Sequence, residues 1–143
     1  MPVTSLREQL IRDEGCIPYV YTDSLGFYTV GVGHLCDKRR GGGLPDSIIA
    51  ALLDYDIATH SADMLKAFPW MDTLDPVRFA TMANMCFQLG VTGLSQFAKS
   101  LAYMKSGEYT AASLSFADSK VAREQTPERW ARHCKQIATG EWV

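Results

Sequence analysis

"RDEGCIPYVYTDSLGFYTVGVGH", residues 12 to 34, is the stretch on which the fold turns. Val, Ile, Thr, Tyr and Phe crowd both sides of "TDSLG", a pattern that predicts a strand, a short turn carrying Asp23 and a returning strand. The glycines of "GVGHL" weaken a plain strand, so they mark a bulge or a surface approached closely by another group. Just upstream, Val3, Leu6, Leu10 and Ile11 recur at about 100° per residue from Pro2 to Glu14, which predicts an amphipathic helix stopped by Gly15. Glu14 lies on the same side of that helix as Val3 and Leu10. A carboxylate is therefore expected where the apolar stripe ends, and burying it is costly unless it is paired, wet or held protonated.

Downstream, "DKRRGGGLP" (37–45) reads as a flexible, basic loop, and Pro45 with Asp46 opens a helix. Apolar residues keep helical spacing from Asp46 to about Phe68, long enough for a spine helix. Further helices are predicted at Asp75 to Leu89, Gly93 to Ser106, Glu108 to Ser119 and Pro127 to Thr139, with Gly90, Gly107 and Gly140 as stops. No internal repeat or low-complexity tract interrupts this order. The expected architecture is one α+β domain. A small antiparallel β lobe (about 15–45) is joined by the spine helix (about 46–68) to a helical lobe (1–14 and 69–143), with a cleft between lobes.

Composition narrows the function classes. A chain of 143 residues with 47% hydrophobic content and a formal charge of −2 is neither disordered nor a strongly basic nucleic-acid binder. Five basic and eight acidic residues fall up to His60, against nine and eight afterwards, a mild asymmetry that names no partner. Four scattered cysteines without a C-x-x-C pair favour reduced thiols made in a cytoplasm. The charged start has no apolar run of the length a signal peptide or membrane span needs, so no membrane insertion is expected.

Each candidate for chemistry has a plainer explanation beside it. Glu14 alone reads as a solvated or Arg-paired helix end, and Asp23 alone as a turn former whose side chain bonds the backbone two residues on. Together, a carboxyl in a partly apolar setting and another nine residues later at a polar turn form the kind of pair glycosidases use, one protonated and one ionised. Thr29, on the returning strand, is placed to hold a water near Asp23, although a β-branched residue in a strand needs no such role. His34 beside Leu35 and Cys36 invites a metal, but no local cluster completes a zinc site. A structural histidine is favoured, paired with an acid of the spine such as Asp54. "GVGH" lacks the third glycine and helix start of a dinucleotide fingerprint.

The run "DEG" followed by "YTDSLGFYTVGVGHL" resembles the catalytic segment of the phage-type lysozymes, glycoside hydrolase family 24. The likeness continues in "NMCFQLGVTGLSQFAKSL" and "QTPERWARHCKQIATGEW", covering most of the chain in the same order. By that resemblance Glu14 is the general acid, Asp23 the carboxylate acting with the attacking water, and Thr29 the hydroxyl beside that water. Leu35, Phe87, Ser100 and Ser115 fall where the family contacts the sugar chain, Arg129 matches an arginine near the acid, and His34 with Asp54 resembles a structural ion pair. The implied reaction is cleavage, with inversion, of the β-1,4 bond between N-acetylmuramic acid and N-acetylglucosamine in bacterial peptidoglycan. No metal or cofactor is implied. Inversion requires the two carboxyls to stand roughly 6.5–9.5 Å apart to admit water.

The resemblance also implies a route: a monomeric endolysin held in the host cytoplasm until a separate holin admits it to the wall. The rival is a noncatalytic peptidoglycan-binding or virion structural module of the same fold; a muramidase delivered by a tail or secretion apparatus shares the chemistry. Two features depart from the family. The 37–45 segment is much shorter than its counterpart in the T-even branch, which predicts a lower or more mobile cleft wall. The chain is slightly acidic where family members are often basic, which predicts weaker dependence on charge for wall binding.

Overall fold

The computed structural model describes residues 5–143, so the Pro2 start of the predicted first helix and Val3 lie outside the described residues. Two compact units are present, Met1–Leu52 and Leu53–Val143.

In the first unit, α1 (Leu6–Glu14) begins at Ser5, whose hydroxyl accepts the Glu8 N–H at 3.2 Å, satisfying one of the orphan amides of the first turn. It ends at Gly15, whose φ of 77° few other residues tolerate. The predicted hairpin is present as β1 (Ile17–Thr22) and β2 (Tyr28–Gly31), and a short β3 (His34–Leu35) completes an antiparallel sheet of order β1-β2-β3. Tyr21 pairs with Thr29 and Ile17 with Gly31, so β1 bulges between them, where Pro18 has no amide to give a regular ladder. The "GVG" glycines turn β2 into β3, with φ of 66° at both Gly31 and Gly33.

The 37–45 loop is tied back on the sheet instead of hanging free. The Gly43 N–H donates to Leu35 O at 2.9 Å and the Gly42 N–H to Arg39 O at 2.9 Å. A Cβ at Gly42 would lie 2.0 Å from the Asp37 carbonyl oxygen, so this turn has no room for a side chain there, while Gly41 and Gly43 are open but hold φ of 85°.

The helix predicted from Asp46 is α2 (Asp46–Ala67). A 3-10 turn, Pro69–Thr73, leads to α3 (Pro76–Ser95), capped by Asp75, which accepts the Arg78 N–H at 3.0 Å. Gly90 breaks the helical run as expected, its φ of 70° and ψ of 171° being non-helical, and a short helical stretch follows as far as Ser95. The next helix therefore starts later than its predicted Gly93: α4 spans Ala98–Ser106, followed by α5 (Tyr109–Ala117). A π turn at Val121–Gln125 precedes α6 (Pro127–Thr139), which runs between its Pro and Gly signals as predicted. Among the described residues, no helix is long and apolar enough to cross a membrane.

The second unit holds the core. Trp130, Phe116, Leu94, Ile137 and five methionines (Met64, Met71, Met82, Met85, Met104) are buried there, each such side chain contributing about 1.5–3 kcal/mol by leaving water. Phe97, Phe116 and Trp130 meet with ring centroids 5.3–5.9 Å apart. Arg78 ties α3 to the end of α6, its Nε donating to Ile137 O at 2.7 Å while the guanidinium covers the Tyr109 ring at 3.7 Å. In the first unit, Thr29 is the single buried residue among those described.

Candidate active site

The first unit carries the three residues expected to do chemistry. Glu14 closes α1, and its carboxylate lies over the β2–β3 turn: a Cβ added at Gly33 would stand 3.1 Å from Glu14 Oε2. The close approach expected at these glycines is thus made by Glu14 itself. Its expected burial is not observed, since α1 has no buried residue and Glu14 is exposed. Leu6, Leu10 and Ile11 of the same helix are exposed as well.

Asp23 both makes its turn and keeps an oxygen in reserve. Its Oδ1 accepts the Leu25 N–H at 2.9 Å and the Phe27 N–H at 2.8 Å, and its own N–H donates to Phe27 O at 2.9 Å. Among the described residues, Oδ2 has no hydrogen-bond partner. The two amides fix the carboxylate plane, and Oδ2 remains available to a ligand or water. Thr29 sits on the central strand, paired with Tyr21 on one side and Leu35 on the other, and is 3% exposed. Its hydroxyl donates to Phe27 O at 3.1 Å, so Asp23 and Thr29 share one carbonyl.

Positive charge reaches this site from the short loop. The Arg39 guanidinium stacks on Phe27 and is bound by Asp37 at 2.9 Å. The hydrogen bonds from Arg39 hold the Asp37 carboxyl below its ordinary range, and Arg39 in turn is held more firmly protonated, by Asp37 first and by the charge of Asp23 as well. Phe27, Asp37 and Arg39 are not among the residues singled out by sequence, where "DKRRGGGLP" reads as a flexible, basic loop; the Asp-x-Arg spacing is the signal of a local pair.

His34 Nε2 meets the Gly43 carbonyl oxygen at 2.5 Å, while Asp54 is an exposed residue of α2. Leu35 is half-buried on β3, its carbonyl taken by Gly43. Among the described residues, no group of three or more His, Cys, Asp or Glu side chains is arranged to hold a metal ion.

The remaining candidates belong to the second unit and separate into two places. Phe87, 39% exposed and stacked on His60 at 4.9 Å, lines an apolar cavity of about 420 Å³ together with Arg129. Arg129 is oriented there by Asn84, whose Oδ1 accepts from Nη2 at 2.6 Å and from Nε at 3.2 Å. Ser100 and Ser115 lie elsewhere, with Ser100 buried and the two hydroxyls 2.7 Å apart, a bond that braces α4 against α5. Gln88 went unnoticed in sequence; its Oε1 accepts the buried Trp130 indole N–H at 3.0 Å and its Nε2 donates to Thr126 at 3.1 Å.

The chain is 31% identical over 164 residues to the pre-baseplate central spike protein Gp5 of Enterobacteria phage T4, an alignment covering 97% of this chain and 28% of that protein. The chain thus spans little more than a quarter of the spike protein's length. It is 27% identical to probable T4-type lysozymes 2 and 1 of Dictyostelium discoideum, over 96% of this chain and 96% of each. The phage lysozyme family model matches residues 12–136, a span that includes Glu14, Asp23 and Thr29. On that match the chain belongs to the phage lysozyme family, and its class of activity is that of a lysozyme-type glycoside hydrolase.

Proposed function

We propose that this protein hydrolyses the β-1,4 bond between N-acetylmuramic acid and N-acetylglucosamine in bacterial peptidoglycan, with inversion at the anomeric carbon. The observation that carries the reading is the unlike setting of two carboxyls in one unit. Glu14 stands at a helix end over Gly33 and is open to a substrate oxygen, while Asp23 is locked by two amides with Oδ2 left over. In this scheme Glu14 donates its proton to the glycosidic oxygen as the bond to the anomeric carbon breaks. Asp23 Oδ2 takes a proton from water attacking the opposite face of the sugar, and Thr29 orients that water. In this reading Leu35, Phe87, Ser100 and Ser115 keep the sugar-chain roles that the resemblance implies, Arg129 stays the arginine near the acid, and neither a metal nor a cofactor takes part. The physiological role is wall degradation at host lysis by a monomer that waits in the host cytoplasm for a holin.

A second reading is a noncatalytic peptidoglycan-binding or virion structural module of the same fold; the likeness to a protein named as a pre-baseplate central spike bears on the virion part of it alone. Reducing-end release from purified peptidoglycan separates the two. Native protein is expected to generate reducing ends as the α-anomer, and Glu14→Gln and Asp23→Asn, each checked for native circular dichroism, are expected to lose about 100-fold or more of the rate. Wall binding with no new reducing ends from native protein would place the chain with the virion module.

A further inference from the structure

Phe27 is the residue through which three parts of the first unit meet. Its N–H donates to Asp23 Oδ1 at 2.8 Å, and its carbonyl accepts the Asp23 N–H at 2.9 Å and the Thr29 hydroxyl at 3.1 Å. Its ring is covered by Arg39, whose guanidinium carbon stands 3.3 Å from the ring centroid. Arg39 is itself gripped by Asp37 in a two-pronged pair, Nε to Oδ1 at 3.0 Å and Nη2 to Oδ2 at 2.9 Å, and the Arg39 N–H also reaches Oδ1 at 3.0 Å. An arginine held this way has already lost the rotamer freedom that makes a surface guanidinium a poor brace.

The chain of contacts therefore runs Asp37, Arg39, Phe27, Asp23. A free Phe27 ring would let its backbone rock, and that backbone supplies one of the two donors to Asp23 Oδ1 and the acceptor of Thr29. The loop that carries Arg39 is anchored by the Gly43 bond to Leu35 and by the tight packing of Gly42 on Asp37. Its shortness brings Arg39 onto the hairpin tip.

We propose that Arg39 is a positioning residue for Asp23: stacked on Phe27 and fixed by Asp37, it keeps the Asp23–Phe27 turn closed, so that Oδ1 stays on its amides and Oδ2 is held ready for the attacking water. The consequence for rate rests on the muramidase reading above; the brace itself does not. Because Arg39 acts through Phe27 and not on the sugar, its loss lowers kcat and leaves KM in place.

The test uses the full chain with Arg39→Met, which keeps aliphatic cover on the ring without charge or donors, together with Arg39→Lys and Asp37→Asn. Steady-state kinetics on soluble peptidoglycan fragments are paired with NMR exchange of the Leu25 and Phe27 amides. Arg39→Met is expected to lower kcat about 10-fold to 100-fold, as loss of aim at a reacting group does, with KM unchanged. Leu25 and Phe27 exchange faster while α6 amides do not. Arg39→Lys restores part of the rate, since a cation remains over the ring and only the fork is lost. A KM increase at constant kcat, or exchange at Leu25 and Phe27 equal to that of native protein, overturns the proposal. Should Arg39→Met not fold, Asp37→Asn decides by the same two readouts. If native protein releases no reducing ends, the muramidase reading fails, and the exchange rates alone decide the brace: faster in the variants supports it, unchanged rejects it.

Discussion

Gly33 carries more of the site than its lack of a side chain implies. It must take φ of 66° to turn β2 into β3, and it must leave room for Glu14 Oε2, which a Cβ would approach to 3.1 Å. The two demands are separable, because Gly31 has the same φ and nothing within 4 Å of its would-be Cβ. Both Gly33→Ala and Gly31→Ala should therefore weaken the hairpin by about 1–2 kcal/mol through left-handed strain, measured from amide exchange in β2. Displacing the carboxylate is peculiar to Gly33→Ala, which should lose about 10-fold more reducing-end release than Gly31→Ala. Equal activity in the two variants would mean that the position of Glu14 does not depend on Gly33. The role of Asp23 as turn former was legible in sequence, since Asp bonds its own turn by local rules. The approach of Glu14 to Gly33 was not, because it depends on how a helix end meets a sheet nineteen residues on, and no local pattern encodes that.

Helix α6 was readable to both ends because Pro127 and Gly140 are chemical punctuation, and Gly90 is punctuation of the same kind, ending one helical run before a short second one begins. The contacts within the 37–45 loop were not readable. Its composition is that of a flexible linker, and its order comes from contacts among Asp37, Arg39 and Gly42 that composition does not reveal. Within α6, His133 is 4% exposed, packs edge-on to Trp130 and leaves Nε2 buried without a hydrogen-bond partner among the described residues. Burial first, then the charges of Arg129 and Arg132, push its pKa from 6.5 down to about 4. An unfolded chain protonates this histidine at a pH where the folded one still refuses the proton. Stability is thus unaffected by His133 above about pH 6.5, falls as the pH drops from there, and levels off below about 4, for a loss on the order of 3 kcal/mol. His133→Phe keeps a ring against Trp130 and removes the titration. Denaturant midpoints compared between native protein and this variant should agree in trend above pH 7 and diverge in favour of the variant toward pH 4.5. Parallel curves over that range would show that His133 takes up its proton in the folded state.

The residues proposed for chemistry and the buried core are unevenly distributed along this chain. Every fully buried large side chain belongs to Leu53–Val143, while Glu14 and Asp23 belong to Met1–Leu52, where Thr29 is the one buried residue among those described. A unit with so little apolar burial opens at low free energy unless hydrogen bonds and turns hold it. Amides in the core of the larger unit approach the global stability, about 5–15 kcal/mol for domains of this kind. Native-state exchange in low denaturant should then find two classes. Amides of β1 and β2 should exchange through a small opening with a shallow denaturant slope, and those of α3 and α6 only through global unfolding with a steep one. The functional corollary is that variants of the hairpin and its loop lose activity before the main thermal transition moves, because the site opens while the methionine-rich core stays closed. A single opening free energy and a single slope for β1, β2, α3 and α6 would contradict this. The chain would then be one cooperative body, and losses in Gly33 or Arg39 variants would have to be read as global destabilisation rather than as faults of aim.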